Sequence, residues 1–214
     1  MLRLYDIFLL STMTVTYQIC YSLVMNLVFA GGPCSGKSTS AMKLFTHYKE
    51  TGVAVELVPE FARLYIAMKR LQNHNFALDD RDQLNIQKTQ AAWEEAMDFS
   101  CGSSGVHIIS DSWSVLALLY MTDHGKGIAL TEAQVAAQRA DLICYCKPIA
   151  PTGFLVNDPN RVHSYTQSLE IDYQVLSLIR SLGVPLENII TLDGSPQERH
   201  EQLLEAIQKK SLCP

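Results

Sequence analysis

The 214 residues fit one globular domain with room for a complete hydrophobic core. With 48% hydrophobic and 18% charged residues, 11 Gly and 8 Pro, the composition excludes disordered, collagen-like and low-complexity chains. Seventeen Lys+Arg against 22 Asp+Glu give a formal charge of −5, which disfavours nucleic acid as a partner, and the six cysteines lack CxxC spacing and read as reduced thiols of a cytoplasmic protein.

From Ile7 to Gly36 the chain carries no charge. Such a run is long enough for a membrane span, but Ser11, Thr12, Thr14, Thr16, Gln18 and Ser22 interrupt its first half. Asp6 stands between Arg3 and the apolar Ile7-Phe8-Leu9-Leu10, which spoils a signal-peptide reading as well. No membrane association is therefore expected. The run divides at Met25, leaving residues 1–24 as an amino-terminal extension without an assigned role and 25–214 as the folded domain.

Beyond Met25, short apolar runs alternate with longer amphipathic ones, the pattern of βα units around a parallel sheet. Strands are predicted at 26–30, 53–58, 106–111, 141–147 and 188–193, each apolar enough for burial on both faces, in the order 2-3-1-4-5. Helices are predicted from Gly36 to Glu50 before a left-handed cap at Gly52, after Pro59, from Asp79 to Asp98 and after Asp111. Thr131-Glu132-Ala133-Gln134 and Ser195-Pro196-Gln197-Glu198 read as capping boxes, and another helix is expected from about Ser168 to just before Gly183. The stretch from Lys147 to Gln167, with Pro148, Pro151, Gly153 and Pro159, reads as a lid loop.

Gly31-Gly32-Pro33-Cys34-Ser35-Gly36-Lys37-Ser38-Thr39 fits G-x-x-x-x-G-K-[ST], with a predicted strand before it and a helix after it. Glycines let backbone N–H groups turn inward around a phosphate, and the helix beginning at Gly36 presents its positive end to the same anion. Lys37 would reach the β- and γ-phosphates of ATP, and the Ser38 hydroxyl would join a Mg²⁺ shell. Cys34 lies inside this loop, so its modification is expected to block nucleotide binding.

Asp111 closes the apolar run Val106-His107-Ile108-Ile109-Ser110, at the carboxyl edge of the sheet, and is the second expected Mg²⁺ residue; capping the next helix is its alternative role. Glu60 follows the second strand in Leu57-Val58-Pro59-Glu60-Phe61-Ala62-Arg63, where a carboxylate can accept the proton of an attacking hydroxyl. Arg63, one turn on, would hold Glu60 or an anionic substrate; a helix-start ion pair is the plainer reading.

These segments, together with Asn157-Asp158-Pro159-Asn160-Arg161 and Glu198-Arg199, resemble the NadR-type AAA domain family, which includes nicotinamide riboside kinases. The likeness extends over about Asn26 to Lys210. It implies a P-loop NTPase fold that uses ATP, Mg²⁺ and a small phosphate acceptor, with nicotinamide riboside as the leading acceptor. Asp158-Pro159-Asn160-Arg161 departs from the family's Asp-Gly-x-Arg-like lid segment.

Arg161, on the lid loop, is a candidate for folding over the transferring phosphoryl group, ahead of Arg139 and Lys147. Arg199 is expected near the adenine end of the site or in a helix-surface contact. Gln90, inside the apolar stripe of Ile86, Trp93 and Met97 with Gln83 at its edge, either reads a base or carboxamide or bonds a neighbouring backbone. Trp113 either stacks on a planar ring or belongs to the core. Cys144 and Cys146 share one face of a strand and have no metal-site partners.

The residues thus predict an α/β phosphotransferase acting on a hydroxyl of a nucleoside-like small molecule. Two alternatives stay open: a kinase of deoxynucleosides, nucleoside monophosphates or a modified DNA base, and an ATPase switch acting through a protein partner.

Overall fold

In the computed structural model, the described residues are 24–73, 76–149 and 164–211. The extension, apart from Val24, and the central part of the predicted lid, Arg161 included, lie outside them. Among the described residues, no helix is long and apolar enough to cross a membrane.

Five parallel strands form one sheet: β1 (Asn26–Ala30), β2 (Val55–Val58), β3 (His107–Ser110), β4 (Leu142–Cys146) and β5 (Ile189–Leu192). Their order, β2-β3-β1-β4-β5, is the expected 2-3-1-4-5. β1 has its predicted bounds, and the other four strands are shorter than predicted at their ends, where the backbone leaves the ladder. Asn26 pairs with Ile108 on one side of β1, and Leu27 pairs with Leu142 on the other.

Burial on both faces follows from the period-2 alternation of side chains. Leu27 and Phe29 of β1 pack against Ala41, Leu44 and Tyr48 of α1 (Lys37–Glu50) and Leu203 and Ile207 of the last helix, α6 (Pro196–Ser211). Val28 and Ala30 face the other way, onto Trp113, the 3-10 helix Ser114–Tyr120, the alanines of α4 (Asp123–Arg139) and Val175 and Ile179 of α5 (Tyr165–Ser181). Cys144 and Cys146 share the first of these faces, as their spacing predicts. Burial raises both thiols well above their usual range.

The helix ends mostly obey local chemistry. Gly52, Gly183 and Gly36 have φ of 76, 77 and 82°, a region that favours glycine. At Ser195 the predicted capping box is present: Glu198 Oε2 accepts from the Ser195 N–H at 2.7 Å, and Ser195 Oγ accepts from the Glu198 N–H at 3.3 Å.

Two predicted helix starts need correction. The Thr131 box does not begin a helix, because α4 already starts at Asp123, capped by Thr122. Asp80 accepts from the Thr122 backbone N–H at 2.8 Å and from its hydroxyl, and this tertiary clamp fixes the start despite Gly125 and Gly127 in the first turns. The helix expected from about Ser168 starts at Tyr165, where Ser164 and Gln167 form a reciprocal capping box.

Two long elements complete the layer beside β2 and β3: α2 (Phe61–Gln72) and α3 (Asp80–Cys101). The buried face of α3 is largely polar, with Asp82, Gln83, Gln87, Gln90 and Glu94 joining Ile86 and Cys101. Several of these side chains satisfy backbone groups elsewhere: Gln87 Nε2 donates to Ala129 O at 3.1 Å, Gln90 Oε1 accepts from the Phe61 N–H at 2.8 Å, and Glu94 Oε1 accepts from the Ser114 N–H at 2.9 Å. α3 thereby braces the starts of α2 and the 3-10 helix, the two segments that leave the sheet beside the phosphate loop.

Candidate functional site

The phosphate loop links the central strand β1 to α1 and places Gly31 through Thr39 at the carboxyl edge of the sheet. Its glycines answer to close packing. A Cβ on Gly31 (φ 149°) would stand 2.6 Å from Cys146 O, and one on Gly36 would stand 2.6 Å from Ile149 Cδ1. Cys34 takes φ 65° without being glycine, an uncommon conformation of the kind that gathers at functional turns. Lys37 Nζ arches back over the loop, donating to Gly31 O at 3.0 Å and Gly32 O at 2.9 Å.

Asp111 follows β3 and is 6% exposed. Its N–H donates to Val58 O at 2.9 Å, which draws the ends of β2 and β3 together. Burial raises its pKa; the Ser38 hydroxyl beside the carboxylate opposes this, the Glu60 charge adds to it, and Lys37 and Arg63 oppose it. One carboxylate thus feels Lys37, Ser38, Glu60 and Arg63, so the fold gathers side chains from the ends of β1, β2 and β3 into one crevice. Asp111 Oδ1 is buried without a hydrogen-bond partner. An unsatisfied carboxylate oxygen beside a serine hydroxyl is a donor set that fits a hard dication such as Mg²⁺.

Glu60 stands at the cap of α2 without capping it, and its Oε2 lies 3.5 Å from Arg63 Nε. The helix-start ion pair is therefore present. With Arg63 59% exposed it is solvent-screened, and the Glu60 charge still acts on Asp111.

Three other candidates sit differently from their functional expectations. Trp113 is 1% exposed within the core, so its ring has no open face on which a planar ligand could stack; the core alternative holds. Gln90 is buried and holds the Phe61 N–H, the structural alternative. Its Nε2 makes no well-formed hydrogen bond, although the amide is close enough to Glu94 to favour the charged carboxylate. Arg199 is not a helix-surface residue: at 2% exposure it donates from Nη1 to Ser35 O at 2.6 Å, from Nη2 to Lys147 O at 2.8 Å and from Nε to Gly194 O at 3.0 Å. It grips the phosphate loop from behind. Arg139 and Lys147 are engaged with Glu95 and Asp193.

The structure adds three residues that sequence reasoning missed. Tyr120, at the end of the 3-10 helix, is half-buried, and its phenol pKa is raised by desolvation and then by the nearby Glu60 and Cys34. It also lines, with Leu78, Asp79, Asp80, Arg81 and Thr122, a hollow of about 440 Å³ open to solvent. Glu94, 6% exposed, accepts from the Ser114 N–H and from Ser114 Oγ at 2.7 Å, and burial pushes its pKa up to about 7. Asp172 of α5 accepts from the Gly32 N–H at 2.8 Å. None of the three lies in a local motif; each is defined by a partner distant in the chain.

A family described as an AAA domain matches residues 26–199. No curated protein sequence matches the chain. Among solved structures, a NadR protein in complex with NAD and AMP-PNP superposes with a TM-score of 0.65 at 14% identity, covering 98% of this chain and 58% of that one. A NadR protein in complex with NR gives 0.66 at 15% identity, covering 98% of this chain and 60% of that one. The chain spans about three fifths of the length of those proteins, and at such identity the likeness is one of fold: a P-loop NTPase sheet flanked by helices.

Proposed function

The chain belongs to the AAA-domain family matched over residues 26–199, and from that premise we propose that it transfers the γ-phosphoryl group of ATP to a hydroxyl of a nucleoside-like small molecule. The observation that carries this reading is the convergence of Lys37, Ser38, Glu60 and Arg63 on the buried Asp111 at the mouth of the phosphate loop.

Phosphoryl transfer asks a protein for positioning and charge stabilisation more than for covalent chemistry. Beyond Gly32, whose own N–H is held by Asp172, and Pro33, which has none, the loop supplies N–H groups to the phosphates, and the amino end of α1 adds its positive field. On nucleotide binding, Lys37 exchanges its carbonyl partners for phosphate oxygens. Ser38 and the unsatisfied Asp111 Oδ1 would hold Mg²⁺, which when bound offsets the charge of the β- and γ-phosphates. Glu60 accepts the proton of the acceptor hydroxyl, and Arg63 holds the Glu60 carboxylate or an anionic group of the acceptor. Arg161 is assigned to close over the transferring group. Arg199 acts by holding the phosphate loop at Ser35 and tying it to Gly194 after β5, with no need to touch the nucleotide.

Nicotinamide riboside leads among acceptors through the likeness to NadR proteins solved with NR and with an ATP analogue. The catalytic unit is assigned to residues 25–214. Free thiols at Cys34, Cys101, Cys144 and Cys146 suit a cytoplasmic location.

The test is a phosphotransfer screen with labelled ATP against nucleosides, nicotinamide riboside, nucleoside monophosphates and single-stranded DNA. A labelled nucleoside product lost in Glu60→Gln supports the reading. Label on a monophosphate or on DNA moves the acceptor class, and ATP consumption with no labelled product in any arm replaces the kinase by an ATPase switch.

A further inference from the structure

One buried carboxylate at the phosphate loop has no part in the proposed chemistry. Asp172 is 6% exposed and both of its oxygens are engaged: Oδ1 accepts from the Gly32 N–H at 2.8 Å, and Oδ2 accepts from the Tyr145 hydroxyl at 2.6 Å. Tyr145 is itself 6% exposed and lies in register with Ala30, the last residue of β1. The carboxylate therefore bridges α5, β4 and the second residue of the loop. The approach is close as well as polar, since a Cβ on Gly32 would stand 2.8 Å from both Asp172 Cβ and Ser168 O.

A buried negative charge next to an anion site is costly unless donors hold it, and it opposes a polyphosphate nearby. Two donors do hold this one. Burial, reinforced by Asp172, keeps the Tyr145 phenol protonated and hence a donor. Meanwhile the Gly32 N–H is turned toward α5, which fixes the peptide plane from which the rest of the loop departs. A loop whose first turn is fixed before the ligand arrives spends less ordering entropy on binding.

We propose that Asp172 is a positioning residue for the nucleotide: with Tyr145, it pins Gly32 so that the following amides of the loop converge on the phosphates. The proposal rests on the nucleotide-binding reading of the loop, so the experiment has one arm that needs no nucleotide. Amide hydrogen exchange of the 31–36 segment is measured in the nucleotide-free protein, and the dissociation constant for ATP with Mg²⁺ is measured by calorimetry. Both are applied to the unaltered protein, Asp172→Ala, Asp172→Asn and Tyr145→Phe.

Asp172→Ala speeds exchange in the segment and weakens ATP binding about tenfold or more. Asp172→Asn keeps an oxygen acceptor for Gly32 and stays within about threefold of the unaltered protein in both arms, a rescue that general loosening of the core would not give. Tyr145→Phe falls between them, and it carries the test if Asp172→Ala does not fold. Unchanged exchange and ATP affinity in Asp172→Ala or Tyr145→Phe, or equal damage in Asp172→Asn and Asp172→Ala, overturns the proposal. If the unaltered protein binds no ATP, the phosphotransferase reading falls, while the exchange arm still decides whether Asp172 holds the loop.

Discussion

The guanidinium of Arg199 reaches from the last helix to the carbonyl of Ser35, 2.6 Å away, and so ties the carboxyl-terminal helix to the phosphate loop. Its other nitrogens hold the carbonyls of Lys147, after β4, and Gly194, after β5. Three loops that leave neighbouring strands at one edge are thus joined by one side chain. Arg199→Met should leave three carbonyls without this partner and destabilise the fold by about 3–5 kcal/mol in urea unfolding. Arg199→Lys should recover only part of that loss, because an ammonium is a point charge without the planar fork that reaches all three acceptors.

Glu94 gives the stability a pH signature. Its carboxyl titrates near 7 in the folded protein because burial raises it from the ordinary 4.5, against the opposing bonds from Ser114. Between those values the folded state keeps a proton that the unfolded chain releases, so the Glu94 contribution is complete below pH 4.5, falls as pH rises toward 7 and is flat beyond. Glu94→Gln removes this titration while keeping an acceptor for the Ser114 N–H. The stability difference between variant and unaltered protein should shift in favour of the variant by about 3 kcal/mol from pH 4.5 to 8. Denaturant titrations at several pH values would read it, and a difference constant with pH would refute the assignment.

Lys37 and Glu60 should fail in different ways if their proposed roles are right. Lys37→Ala removes a charge that attends the phosphates and is expected to weaken ATP binding about tenfold or more. Glu60→Gln leaves the phosphate loop intact, so ATP affinity should stay within about threefold while phosphotransfer falls about 10²–10⁴-fold. Calorimetry with ATP and initial rates with the acceptor found by screening separate the two effects. A Glu60→Gln protein with full phosphotransfer would remove Glu60 from the proton-accepting role.

The parallel sheet was legible because each strand is a short, mainly apolar run and because the glycine-rich loop announces the end of β1; the expected burial on both faces holds for β1, β3 and β4 but not for the edge strands β2 and β5, where Glu56 and Thr191 are exposed. The proximity of the site's side chains was legible in part: Glu60 and Asp111 lie at or just past predicted strand ends, and Lys37 and Ser38 stand in the phosphate-loop motif where the following helix begins. What the sequence hid depends on distant partners. Asp172 and Gly32 are 140 residues apart, and Glu94 and Ser114 are 20 apart. α4 was misread for a related reason: Gly125 and Gly127 lower local helix propensity, but Asp80 fixes the cap at Thr122 and lies where a Cβ on Gly125 would stand, 2.7 Å away. The polar face of α3 reads as a site when taken locally, whereas its amides and carboxylates mostly satisfy the backbone of other elements.

The metal assignment makes the last prediction. Asp111 Oδ1 is buried without a hydrogen-bond partner, and Ser38 lies against the same carboxylate. If these two atoms take Mg²⁺, the metal should strengthen ATP binding in the unaltered protein and do so much less in Asp111→Asn, whose amide oxygen carries no charge for the cation. Ser38→Ala, which removes one neutral oxygen donor, should lose less of the metal's effect than Asp111→Asn. Affinity for ATP in the presence of a chelator should change little in Ser38→Ala and should rise in Asp111→Asn, because a buried negative charge near the phosphates has been removed. Calorimetric titrations of ATP with and without Mg²⁺ distinguish this from an Asp111 side chain without a metal role: in that case each variant would change binding equally under the two conditions, while the brace between β2 and β3, the Asp111 backbone N–H bonded to Val58 O, would persist in both.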